Sequence, residues 1–144
     1  MKDGIGWIPR EMVQSPYCIG LCIDEDQFKR AIKRLNVSPA QQPLKWILDG
    51  CDGKVHVFEE EEDFHRCIIV CARYDPKRNP NEVVGLIVHE AVHVWQRICD
   101  CIGEYEPSLE FEAYSIQAIT QRLIALYSEM MAVKKKPKIV KKKV

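Results

Sequence analysis

No stretch of this 144-residue chain is apolar for long enough to cross a membrane. Nor does the chain open like a signal peptide: Met1-Lys2-Asp3-Gly4-Ile5-Gly6 runs into polar, proline-containing sequence with no apolar core. Both absences predict a protein that meets no membrane and stays in the cytoplasm where it is made. There is no internal repeat and no net charge. A neutral body gives no general case for nucleic-acid binding. No C-x-x-C spacing occurs among the seven cysteines (Cys18, Cys22, Cys51, Cys67, Cys71, Cys99 and Cys101), which speaks against a zinc ribbon. An odd count without a secretion signal points to free thiols in a reducing compartment. Cys18/Cys22 and Cys67/Cys71, each four apart, could place two thiolates on one face, but they read better as small buried hydrophobes.

A hydrophobic content of 47% with 29% charged residues is that of a globular domain with one sizeable core. The zero net charge hides an asymmetry. Seven of the 21 basic residues lie in the last eleven positions, so the rest carries 14 against 21 acidic residues, a balance of −7. The expected division is a single domain over 1–133 and a lysine-rich, solvated tail over 134–144. That tail could touch nucleic acid or another anionic surface, but it lacks the aromatics and arginines that read bases.

Residues 1–23, with Pro9 and Pro16, read as irregular. Asp24-Glu25-Asp26-Gln27 starts a helix whose apolar positions are Phe28, Ala31, Ile32 and Leu35. The alternation Lys54–Phe58 predicts one strand and the apolar run in Arg66–Ala72 a second, joined by an acidic turn, Glu59–Asp63. A helix from an Asn81 cap to about Ile98 follows. A loop over 100–108 leads to a last long helix with the stripe Leu109, Ala113, Ile116, Ile119, Leu123 and Leu126. The fold class is α+β, with a short β-sheet packed against helices.

Within the first long helix stands His89-Glu90-Ala91-Val92-His93, an HExxH sequence. Residues four apart on a helix have Cβ atoms about 5–6 Å apart on one face. Two imidazoles so placed can reach one tetrahedral zinc, while Glu90, one step round, can hold and deprotonate a water. Val83, Val84, Leu86, Ile87 and Val88 lead into the motif and predict a buried helix. Burying His89, Glu90 and His93 there without partners would cost roughly 1–3 kcal/mol each. A metal and its water would satisfy all three, so the motif predicts a zinc hydrolase.

A catalytic zinc needs a third protein ligand. The metzincin arrangement fails, since Gln96 and Cys99 stand where its glycine and histidine belong. Cys99 could ligate, but it lies at a helix exit without a bend-permitting glycine. The helix that follows carries Glu110-Phe111-Glu112-Ala113-Tyr114, which resembles the E-x-x-A-[DN] helix of gluzincin-type peptidases. That resemblance implies Glu110 as the third ligand, with Glu112 as the alternative.

The stretch from Asn81 to about Leu126 resembles small phage- and prophage-encoded proteins read as zinc metallopeptidases. It does so in His89–Gln96, Gly103-Glu104, Pro107 and Glu110–Gln117, joined by His56–Glu59 and the Ile68–Ala72 strand. The resemblance covers roughly half the chain. It implies a zincin-like core, a bound Zn2+, a peptide or protein substrate, and the host cytoplasm as location. Tyr114 departs from the pattern, because related gluzincins carry Asp or Asn there to orient a ligating histidine.

The implied chemistry is attack by a zinc-activated water on a polarised amide, with Glu90 moving the proton. The oxyanion donor could be Tyr105, Tyr114, His56 or His65. The 66–72 strand is the candidate edge along which an extended peptide aligns. The rival reading is a non-catalytic, zinc-stapled interaction protein, whose basic tail could hold it to nucleic acid or a virion.

Overall fold

The computed structural model describes residues 4–8, 15–38, 44–59 and 66–135. Four strands, β1 (Gly6–Ile8), β2 (Cys18–Cys22), β3 (Gly53–Glu59) and β4 (Arg66–Ala72), form one mixed sheet in the order β1-β2-β4-β3. β1 pairs antiparallel with β2, β2 parallel with β4, and β3 antiparallel with β4. Three helices complete an α+β architecture: α1 (Glu25–Arg34), α2 (Pro80–Ile102) and α3 (Leu109–Lys135). Among the described residues no helix is long and apolar enough to cross a membrane.

Strand alternation divides the core in two. Ile19, Leu21, Ile68, Val70 and Ala72 point to one face, where they meet Ile87, Ala91, Val94, Trp95 and Ile98 of α2 and Ile119 and Leu123 of α3. Cys22, Cys67, Ile69 and Cys71 point to the other, against Phe28, Ala31 and Ile32 of α1. β4, covered on both faces, therefore reads as a continuous apolar run rather than an alternating one. The cysteine expectation holds for Cys22, Cys67 and Cys71, which are buried; Cys18 is half-buried, and all are free thiols.

Residues 1–23 are not irregular throughout, since β1 and β2 lie among them and the sheet has four strands instead of a pair. β2 owes its place to parallel pairing with β4, from Cys18 opposite Cys67 to Cys22 opposite Cys71. Gly20 leaves room for a neighbour: a Cβ there would stand 3.1 Å from the Trp7 ring. The edge assignment also changes. β4 is internal, and β3, next to it, is one of the two outer strands.

Helix ends follow local chemistry. Asp24 caps α1, its side chain accepting from Gln27 N at 2.8 Å, while Gln27 Oε1 accepts from Ile23 N at 2.7 Å. α2 starts at Pro80 after an Asn79 cap that accepts from Asn81 N at 2.9 Å, two residues before the expected cap. It runs past Ile98 to Ile102 and ends on left-handed Gly103, φ 72°. Ser108 Oγ accepts from Phe111 N at the start of α3. α3 continues through the first two lysines of the basic run, and Lys134 Nζ reaches Asp24 at 2.7 Å. The remainder of the expected tail lies outside the described residues.

Candidate metal centre

α2 is amphipathic rather than buried all round. Its inner side presents Ile87, Ala91, Val94 and Ile98 to the sheet and α3, so residues half a turn away face outward. Val84, Val88, His89 and His93 are exposed. The expectation that all three motif side chains are buried is thus corrected, and only Glu90 is, at 3% exposure. The apolar Val84 and Val88 sit on the outer side, which made the helix look buried in sequence.

The imidazoles nevertheless converge. His89 Nε2 and His93 Nε2 stand 3.1 Å apart, with ring centroids 4.7 Å apart and planes nearly perpendicular. Gln96 Oε1 lies 3.0 Å from His93 Nδ1. An amide oxygen only accepts, so a proton on Nδ1 completes this contact, while Nε2 is the nitrogen that faces His89. Two ring nitrogens this close need a proton or a cation between them. Nitrogens each about 2.0–2.1 Å from one tetrahedral zinc are about 3.4 Å from each other, so the pair fits a zinc to within a few tenths of an ångström.

Glu90 faces the sheet. Its carboxylate lies against Gly53 at the start of β3, with Leu86 beside it. Burial pushes its pKa up, and the neighbouring His89 and His93 pull it partly back. From there β3 runs beside α2: Val55, Val57 and Glu59 share a concavity of about 560 Å³ with Arg97, Asp100 and Cys101 of α2 and with Tyr17 and Arg66. Tyr17 Oη donates to Glu59, Arg66 Nη1 to Cys101 Sγ at 2.6 Å, and Arg97 pairs with Asp100 at 3.5 Å.

The other expected site residues are scattered. Glu110 is exposed and Glu112 half-buried. Glu112 is close enough to Cys99 to help push that thiol's pKa up, after burial. Among the described residues no three His, Cys, Asp or Glu side chains are gathered into a metal-binding group, so neither glutamate joins the imidazole pair. Tyr105 and Tyr114 are exposed, at 81% and 65%. His56 is on the far face of the sheet, packed on Phe28 of α1 at 4.5 Å and bonded to the Trp46 carbonyl at 2.9 Å, which removes it as an oxyanion donor. His65 and the acidic turn after Glu59 lie outside the described residues.

Comparison with protein-family models, curated proteins and solved structures returns no match to this chain.

Two residues of the centre escaped the sequence reading. Gln96 carried a signal, since three residues after His93 it shares that histidine's helix face. Gly53 carried none, because it looked like the end of the turn Asp49-Gly50-Cys51-Asp52-Gly53.

Proposed function

We propose that this protein is a zinc-dependent metallopeptidase with a zincin-like, gluzincin-type core. The observation that carries the reading is the convergence of His89 and His93 beside a buried glutamate on the same helix. Zinc, when bound there, supplies Lewis acidity, acidifying a water and polarising a carbonyl. His89 and His93 would hold it through Nε2. Gln96 fixes the His93 tautomer that leaves Nε2 free to ligate, as outer partners of zinc-bound histidines do. Glu90, buried on the same helix beside them, would take a proton from the water and return it to the leaving nitrogen. β3, the outer strand beside Glu90, is the element along which an extended peptide would align.

Glu110 is retained as the proposed third ligand, from the likeness of Glu110–Tyr114 to the gluzincin pattern, with Glu112 as its alternative. Tyr114 or Tyr105 would serve the oxyanion or a ligating histidine. The likeness to phage-encoded proteins supports a role in a host cytoplasm.

A second reading has its own support: both imidazoles are exposed and neither glutamate stands with them. Exposed imidazoles are open to donors from a partner, which suits a zinc-stapled interaction protein in which Glu90 does no chemistry. Zinc-loaded wild type, Glu90→Gln and Glu110→Ala proteins, assayed on a broad library of quenched fluorescent peptides, separate the two. The peptidase reading expects wild-type cleavage, loss of turnover with zinc retained in Glu90→Gln, and loss of zinc in Glu110→Ala. No cleavage by zinc-loaded wild type would favour the staple.

A further inference from the structure

The geometry points to Gly53 as a positioning residue for Glu90, an inference whose catalytic half rests on the peptidase reading. Gly53 opens β3 and pairs with Ala72 of β4. Its φ is outside the left-handed region, so the backbone does not call for glycine there. Space does. A Cβ at this position would fall inside contact distance of Glu90 Oε1, 2.9 Å from Glu90 Cδ and 2.9 Å from Leu86 Cδ1. The missing side chain is thus the seat of the carboxylate, which rests against the backbone of the outer strand.

The alternative, that Gly53 is a generic turn glycine, explains neither its ordinary φ nor the overlap with one carboxylate. Gly50, in the same turn, shows the contrast: its φ is +79° and a Cβ there would meet nothing within 4 Å. Gly50 serves the backbone and Gly53 serves Glu90. The atoms that a Cβ would meet are the ends of flexible side chains. Gly53→Ala should therefore move the carboxylate before it breaks the sheet. A misplacement of about 1 Å in a proton-transferring group can cost about 10²-fold in rate.

The test is a double-mutant cycle on the zinc-loaded full chain, comparing wild type, Gly53→Ala, Glu90→Asp and Gly53→Ala/Glu90→Asp. Gly85→Ala serves as control, since a Cβ at Gly85 meets nothing within 4 Å. Thermal melting needs no activity. Gly53→Ala should lower Tm in the background that keeps Glu90 and lower it less in the Glu90→Asp background, where the retracted carboxylate no longer meets the new methyl and only the Leu86 contact remains. On the peptide library, Gly53→Ala should lose about 10²-fold in kcat with KM and zinc content unchanged, and Gly85→Ala should match wild type. Additive Tm changes would overturn the inference, as would full kcat in Gly53→Ala. Non-additive melting in a wild type that cleaves nothing would uphold the seat and refute the peptidase reading instead.

Discussion

At the residue scale the centre combines two opposed environments on one helix: imidazoles in water and a carboxylate under the sheet. The carboxylate is the more informative, because α2 and β3 keep it buried although its pKa is raised by that burial. Glu90→Gln keeps the shape and removes the charge, so Tm should not fall and zinc content should not change. Turnover should drop by about 10²–10⁴, the usual worth of a general base. Equal turnover in the variant, measured on the same peptide library, would assign the activity to another site. Gln96 makes a complementary prediction. It touches His93 Nδ1 and not the Nε2 that faces the proposed metal, so Gln96→Ala should leave both imidazoles in place and weaken zinc binding by about 10–100-fold. Competition against a zinc chelator reads that change, and an unaltered affinity would mean that the hydrogen bond does not orient the ring.

At the element scale, what was legible in sequence was what is decided locally. α1 could be read because Asp24 caps it and Phe28, Ala31 and Ile32 repeat at helical spacing. β4 could be read because burial on both faces leaves a run of apolar residues. β2 could not, since Cys-Ile-Gly-Leu-Cys becomes a strand through pairing with β4, far along the chain. The stripe expected for α3 failed at its start, where Leu109 is 83% exposed, and held at Ile119 and Leu123, which α2 covers. For the site, the spacing of His89, Glu90 and His93 was legible, but which way each points was not. Outward-facing Val84 and Val88 imitate a buried helix, and only the packing of α2 on the sheet fixes its rotation. That rotation leaves Gly85 in open space within the helix. Gly85→Ala should therefore stabilise the protein by about 0.5–1 kcal/mol through helix propensity, measured by urea unfolding. Destabilisation would mean that the outer side of α2 is covered by a partner in solution.

At the scale of the whole molecule, pH acts on stability through a histidine outside the proposed zinc pair. His56 is buried against Phe28 and Trp46, and desolvation lowers its pKa below the ordinary value of about 6.5. The unfolded chain then takes up a proton at this residue before the folded one does. Its contribution is fully present above about pH 6.5 and is lost as pH falls through the folded pKa. Urea unfolding of zinc-free protein at pH 7.5 and 5.5 checks this: wild type should lose stability between them, and the loss should shrink in His56→Leu. An equal loss in both would place the acid sensitivity elsewhere. The proposed zinc would act on the exposed pair. If His89 and His93 ligate, the purified chain carries one zinc, and free metal at 1,000 times its Kd adds about 4 kcal/mol to the folded state. At a few degrees per kcal/mol for a domain of this size, removing the metal with a chelator should lower Tm by on the order of 10 °C. The His89→Ala/His93→Ala variant should show neither the metal nor the shift. Zinc retained in that variant would move the site to the thiols, with half-buried Cys99 and Cys101 the first to examine. Half a zinc per chain would mean that two copies bring their exposed pairs to one ion, which completes a four-nitrogen site without any glutamate and leaves Glu90 with no water to activate.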